Sequence, residues 1–321
     1  MRYFDPAQVC SLLDMASCIP LMGATLADYS AGRTVQVLRT AMAIEDGKIL
    51  GVMPAANPAV GIAGTKIITV FPQNFKRGLP SHQGVVVLFE TETGALEALL
   101  DGEAITGIRT AAVSAAATDA LARKDAHVLC ILGSGLQARR HLEAMTLVRD
   151  ITQVRVWDVD RASAQTFARE MSDHYGIPVE ECCGSVRDAV EGADIICTVT
   201  AAREPVLFGE HVSPGAHINA VGACGAGVRE LDAEVMRRGR LFCDSLESAR
   251  SEAGDYLIPL DQGLISAECL LGEVGKVISG ELPGRTDAAD ITIFEAQGLA
   301  VEDLAAADHI VQKARKQEGE P

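Results

Sequence analysis

The sequence predicts an α/β protein of two domains: a mainly antiparallel α+β domain, followed by a doubly wound parallel one. Three observations predict it. The chain has 321 residues, about twice the usual size of one domain. Its patterning changes near residue 124, from strand-like runs separated by turn residues to short apolar runs alternating with helical stretches. A glycine-rich turn, Gly133-Ser134-Gly135, sits between one such apolar run and a helical stretch. The expected division is 1–123 for the first domain and 124–298 for the second, with a terminal helix in 299–321 packing back on the first.

In chain order, the first domain opens with a helical stretch at 6–15. Strands follow at 35–42, 49–53, 66–71, 85–89 and 95–100. Glu45-Asp46-Gly47 and Thr91-Glu92-Thr93-Gly94 read as hairpin turns, because Asp and Gly tolerate the positive φ that tight turns need. The Ala-rich stretch 106–121 is the connecting helix, and Arg123-Lys124-Asp125 marks the boundary. In the second domain, strands at 127–132, 154–158, 194–198, 217–221 and 241–244 alternate with helices at 137–148, 162–175, 185–191 and 233–238. A last strand at 291–295 precedes a helix at 301–316, and the polar tail from 317 frays.

Composition narrows the function classes. With 48% hydrophobic and 22% charged residues the chain is globular rather than disordered. A net charge of −16 repels nucleic acid and anionic membranes, so neither is an expected partner, and any anionic substrate must be met by locally placed cations. No apolar run reaches the roughly 20 residues of a membrane span, and residues 1–6 lack the character of a signal peptide, so the expected location is cytoplasmic. The nine cysteines are scattered without metal-ligand spacing. They read mostly as reduced core residues, and no metal is expected.

Gly133-Ser134-Gly135-Leu136-Gln137-Ala138 follows an expected strand and opens an expected helix. There, glycines let the backbone turn tightly against a pyrophosphate while helix amides face the anion. Ala138 replaces the third glycine of the usual pattern, where only a small side chain is needed. The second domain is therefore a Rossmann-type, NAD(P)-binding domain, with Gly133, Gly135, Leu136 and Gln137 at the phosphates. Asp158, ending the next strand, is placed to accept the ribose hydroxyls and to repel the phosphate of NADP. This favours NAD, although Arg161 keeps NADP open.

Several further segments accompany this motif: Gly64-Thr65-Lys66, Phe71-Pro72-Gln73-Asn74, Thr106-Gly107-Ile108-Arg109-Thr110-Ala111-Ala112, Asn219-Ala220-Val221-Gly222-Ala223 with Arg229-Glu230-Leu231-Asp232, and Gly298-Leu299-Ala300-Val301-Glu302-Asp303. Together, from about residue 39 to 303, the chain resembles the ornithine cyclodeaminase/mu-crystallin family. The resemblance implies a homodimer built through the antiparallel domain and a small amino-acid-like or imino-acid substrate whose carboxylate is held by Arg39, Lys66 and Arg109. An Arg fork with an ammonium suits that task. It also implies cofactor contacts from Ser81, Arg109, Thr200 and the strand end Ile218, Asn219, Ala220 and Val221, with Ala223 and Cys224 facing the nicotinamide.

The chain departs from the family pattern in three places. Cyclodeaminases carry an acid at the position of Cys224, a Lys at Val228, and many relatives read Lys-Ser or Asp-Ser at Glu295-Ala296. A thiol titrates near about 8.5 and substitutes poorly for a carboxylate.

The expected activity is therefore NAD(P)H-dependent reduction of a cyclic imino acid, such as Δ1-pyrroline-2-carboxylate or a ketimine. Lys66 polarises or protonates the imine nitrogen, Arg109 fixes the carboxylate, and Cys224 is the third candidate for the chemistry. A cyclodeaminase-type lyase or an alanine dehydrogenase is the alternative, and a non-catalytic nucleotide-binding crystallin-like protein the other.

Overall fold

A computed structural model describes residues 1–45, 47–182 and 184–319; Asp46 of the first expected hairpin turn and Cys183 lie outside them. The chain forms two compact units, Met1–Thr110 with Gly298–Pro321, and Ala111–Gln297.

In the first unit, β1 (Arg2–Phe4), α1 (Pro6–Leu12) and α2 (Met15–Ser30) precede β2 (Val35–Gln36), β3 (Thr40–Glu45), β4 (Lys48–Asn57), β5 (Ile62–Val70), β6 (His82–Glu90), β7 (Leu96–Asp101) and the start of α3 (Gly102–Leu121). The sheet runs β1-β7-β6-β5-β4-β2, with β3 paired on β4 off that path. It is antiparallel except where β1 lies parallel to β7, so the expected antiparallel character holds with one addition. The β6–β7 turn forms around the Glu90 carboxylate, which accepts from the Glu92, Thr93 and Ala95 amides, with Gly94 at φ +77.

The expected helix at 6–15 is two helices. Asp5 and Gln8 form a reciprocal cap on α1, and Asp14 accepts from the Ser17 amide at 2.8 Å to start α2.

The expected boundary at 123/124 falls instead at Thr110/Ala111, within α3. The physical reason is local. Ala111, Ala112, Val113, Ala115 and Ala117 are buried. Ser114 bonds His141 at 2.9 Å, and Thr118 accepts from Asn219 at 2.9 Å. The C-terminal half of the helix is thus built into the second unit.

The second unit contains β8 (Val128–Leu132), α4 (Leu136–Val148), β9 (Gln153–Trp157), α5 (Arg161–Tyr175), β10 (Val179–Glu181), α6 (Val186–Val190), β11 (Ile195–Thr198), β12 (His217–Ala220), α7 (Ala233–Arg238), β13 (Gly239–Cys243), α8 (Leu246–Glu252), α9 (Gly254–Asp261), β14 (Leu270–Glu273), α10 (Val274–Ile278) and β15 (Ile291–Glu295). Its strands order as β10-β9-β8-β11-β12-β15-β13-β14, every pair parallel. The doubly wound fold is as expected, and the strand order reverses direction beside β8, where such sheets bind ligands. The final helix α11 (Ala300–Glu318) packs on β4, β5, β6 and α2 of the first unit. Gly64 lies against the Val87 carbonyl and Leu304, leaving no room for a side chain there.

Candidate active site

The first unit assembles a buried cluster of ions. Lys66, on β5, is 3% exposed, and Arg109, on α3, is 4% exposed. Both are held by the first turn of α11. Asp303 takes Arg109 Nε at 2.9 Å on one oxygen and pairs with Lys66 Nζ at 2.8 Å on the other. Glu302 Oε2 takes Arg109 Nη1 at 2.6 Å and the Leu299 amide at 3.2 Å. The N-terminal end of a helix favours these carboxylates. Arg39 reaches the same segment, donating from Nη2 to the Gly298 carbonyl at 3.3 Å.

These surroundings set the charge behaviour of Lys66. Burial, then the Arg109 charge, lower its pKa to about 8, with Arg39 adding to the fall and Asp303 opposing it. Burial is the larger cause and crowding by the guanidiniums the smaller. Thr106 Oγ1 lies 3.5 Å from Lys66 Nζ. Ser81 bonds the neighbouring His82 at 2.9 Å, and His82 is held below its usual pKa by partial burial and by the Lys66 charge.

In the second unit, Gly133 has φ +109, and a Cβ there would lie 2.8 Å from the Val199 carbonyl. Gly135 caps α4 without a side-chain hydrogen bond, so no cap side chain stands between the helix start and an anion. This uncapped glycine cradle fits a dinucleotide pyrophosphate. Leu136 is exposed, beside Gln137 in the first turn of α4. Asp158, just past β9, accepts from Ser134 Oγ at 2.7 Å and from the Asp160 amide at 2.9 Å, which aims its carboxylate at the cradle's rim. Arg161 pairs with Glu181 at 3.5 Å.

The other expected cofactor residues each have partners within the second unit. Thr200 donates its amide at 2.6 Å and its hydroxyl at 2.7 Å to Glu230. Ile218 and Asn219 are fully buried in the central strand β12, with the Asn219 amide on Thr118 and Cys197. Their side chains stand out from the sheet into the layers packed on its faces, that of Asn219 meeting Thr118 of α3. Ala220 and Val221 are also buried. Cys224 is exposed, its Sγ 3.4 Å from the Val221 carbonyl and 3.8 Å from that of Ala296. Among the described residues the cysteines are unbridged, and no group of three His, Cys, Asp or Glu is arranged to hold a metal.

Residue-by-residue reading gave no role to Glu302 and Asp303, although both lie in a quoted segment; two acids opening a helix were the available signal. Nor did it anticipate the buried carboxylates Glu230, Asp244, Asp255 and Glu295. These lie in separate segments whose pairing the sheet decides.

Comparison with known proteins agrees over most of the chain. The model of the ornithine cyclodeaminase/mu-crystallin family matches residues 5–318. The ketimine reductase mu-crystallin of Mus musculus is 43% identical over 293 residues, 90% of this chain and 89% of that protein. The solved Δ1-pyrroline-2-carboxylate reductase of Thermococcus litoralis, in complex with NADH and L-proline, is 35% identical with a TM-score of 0.96, covering 99% of this chain and 98% of that one. An archaeal alanine dehydrogenase dimer with bound NAD is 32% identical with a TM-score of 0.93, covering 98% of this chain and 96% of that one. With its expected motifs in place and the match running almost end to end, this chain belongs to the ornithine cyclodeaminase/mu-crystallin family.

Proposed function

We propose that this protein reduces a small cyclic imino acid, of the Δ1-pyrroline-2-carboxylate or ketimine type, to the cyclic amino acid with NAD(P)H. The observation that carries the reading is the buried Lys66–Arg109 pair held by one helix turn. Similarity to a ketimine reductase and to a Δ1-pyrroline-2-carboxylate reductase supports it.

When bound, the reduced nicotinamide supplies a hydride for the imine carbon. The chain's own residues bind and orient the substrate. Arg39 and Arg109 hold the carboxylate, and fixing the ring in this way supplies much of the rate. Lys66 gives its Nζ proton to the imine nitrogen, so carbon gains hydride, nitrogen gains a proton, and Lys66 is reprotonated from solvent. A pKa near about 8 suits a donor that works close to neutrality. Cys224, with its thiol against two backbone carbonyls, serves as wall rather than acid.

NADH absorbance with Δ1-pyrroline-2-carboxylate, with alanine and NAD, and with a blank, together with ammonia release from ornithine and NAD, tests this. Oxidation of NADH by the imine alone is expected. Activity only on ornithine or alanine, or NADH binding without turnover on any, would replace the reading with one of its alternatives.

Three finer features belong to the same proposal. NAD is favoured over NADP because Asp158 borders the cradle while Arg161 is engaged by Glu181. The partner is a second copy of this chain: β3 is exposed along its length, and Val35, Val37, Met42 and Ile44 present 46–59% of their surface, an apolar edge of the kind proteins cover. Light scattering at about twice the 33.9 kDa chain mass is expected. The location is cytoplasmic, consistent with unbridged cysteines; no single described helix is long and apolar enough to cross a membrane.

A further inference from the structure

The glycine cradle of the second unit is walled by the strand next to it. Gly133 lies against the Val199 carbonyl, and the Val199 amide donates to the Leu132 carbonyl at 2.9 Å, so the backbone just past β11 borders the cradle. Asp158 follows β9 on one side of β8, while β11 and β12 lie on the other. A dinucleotide crosses such a sheet where the strand order reverses, with its adenine ribose at the acid. Its nicotinamide half then extends over the carboxyl ends of β11 and β12.

Glu230 joins those two ends. Its Oε1 accepts from the Thr200 amide at 2.6 Å and the Thr200 hydroxyl at 2.7 Å, past β11, and its Oε2 accepts from the Gly222 amide at 2.8 Å, past β12. The Thr200 hydroxyl is held from both sides, since its oxygen accepts from the Ala202 amide at 3.0 Å. Gly222 must be glycine, because a Cβ there would run into the Thr200 carbonyl and Glu230 Oε1. The main chain of Glu230 is fixed as well. Its amide donates to Asp255 Oδ1 at 2.8 Å, and its carbonyl accepts from the Val206 amide at 2.8 Å and the Leu207 amide at 2.9 Å. Both acids are fully buried. Burying a carboxyl group is unfavourable unless its oxygens are met; an apolar side chain would be easier to bury here but could not tie the two ends together.

We propose that Glu230 is a positioning residue for the nicotinamide half of the dinucleotide, fixing the backbone past β11 and β12 before the cofactor arrives. This role depends on the dinucleotide alone and not on the imine substrate. Connections at strand ends are ordinarily among the mobile parts of a fold, and ordering them on binding would subtract from affinity. Tied to one buried side chain, they present a set surface instead. Thr200 then serves the cofactor through the placement of its backbone.

Calorimetry with NADH and with ADP-ribose, which keeps the adenosine and pyrophosphate but lacks the nicotinamide, tests this. Glu230→Gln is close in shape, but its amide nitrogen turns N–H against N–H at one of the two strand ends. Losing hydrogen bonds to a charged acceptor there is expected to raise the NADH dissociation constant about tenfold and to leave that of ADP-ribose within about twofold. A merely structural role would weaken both ligands together. That result, or unchanged NADH affinity in the folded variant, would overturn the proposal. Hydrogen exchange on cofactor-free wild type decides the matter even if the variant does not fold. The Thr200 and Gly222 amides are expected to exchange as slowly as those within β11 and β12. Fast exchange that only NADH suppresses would assign the ordering to the cofactor and overturn the proposal too. Because binding and exchange are read without turnover, their failure is distinct from failure of imine reduction.

Discussion

The two units bury charge in opposite ways. In the first, Lys66 and Arg109 are paired at 2.6–2.9 Å with Glu302 and Asp303. In the second, three of the buried carboxylates lean on backbone amides and another on a side-chain amide. Glu230 accepts from the Thr200 and Gly222 amides, Asp255 from those of Glu230 and Leu231, and Asp244 from those of Ser245 and Gln297. Glu295 accepts from the Gln297 side chain, and its other oxygen has no hydrogen-bond partner among the described residues. Burial raises the pKa of Glu230, Asp255 and Glu295, and for the last two the neighbouring carboxylates add to the rise. The lesson is one of purpose: ions kept charged stand ready for a ligand, whereas acids driven toward their neutral form clip loops together, here Thr200 to Gly222 beside Cys224.

The largest contrast comes from removing a charge on each side. Arg109→Ala takes the guanidinium from two buried carboxylates, leaving Asp303 with Lys66 and Glu302 with the Leu299 amide, and is expected to destabilise the protein by about 3 kcal/mol, with kcat/KM falling at least about a hundredfold. Chemical denaturation and steady-state kinetics would read both. Wild-type stability would mean that the pairs at 2.6 and 2.9 Å are solvated rather than buried.

The charged state of Lys66 is the next target. As proton donor it must be protonated, so kcat/KM for imine reduction should fall as pH rises through about 8. Asp303 raises that pKa while Arg109, Arg39 and burial lower it, and His82 faces the same ammonium. Asp303→Asn should therefore move the alkaline limb to lower pH. A limb that stays in place assigns the proton to another donor.

Asp255→Asn probes the other strategy. The folded-state pKa of Asp255 is raised above its ordinary 3.8, so the folded form holds its proton more tightly. The stability it contributes is present below about pH 4 and is lost as pH rises through the folded-state value. Asn at this position can still accept the Glu230 and Leu231 amides. The variant should lose part of the decline in melting temperature between pH 5 and 8, with Glu230 and Glu295 supplying the remainder. Superimposable melting curves against pH would show that Asp255 stays ionised in the fold.

The smallest effect is expected at the edge of the acidic group. Cys224→Ser should keep activity within about threefold, because a hydroxyl can donate to the Val221 and Ala296 carbonyls as the thiol does and the proposed substrate needs no acid there. A loss of about a hundredfold, typical of removing a proton-transfer group, would give the thiol a chemical role.

Much of this was legible residue by residue. The cradle could be read because its requirements are local: a strand end, a glycine at φ +109 and a helix start. Lys66 and Arg109 could be named because rare cations in an acidic chain stand out, and because the resemblance rests on the segments that hold them. The missed elements have little periodic signal of their own. β1, β10 and β14 are three or four residues long, and α2 carries Pro20 within an apolar stretch.

By itself the sequence determined the order of elements, the parallel character of the second sheet and the identity of the cations, since apolar periodicity and glycine chemistry act between near neighbours in the chain. Only the tertiary structure decided what those cations face. Asp303 lies 194 residues from Arg109, and no spacing rule predicts that α11 returns to pack on β5. The same holds for the boundary inside α3, where Ser114 and Thr118 find His141 and Asn219, and for Thr200, drawn onto Glu230. A buried polar group takes whichever partner folding brings to it, because leaving it unpaired costs more than any local preference can offset.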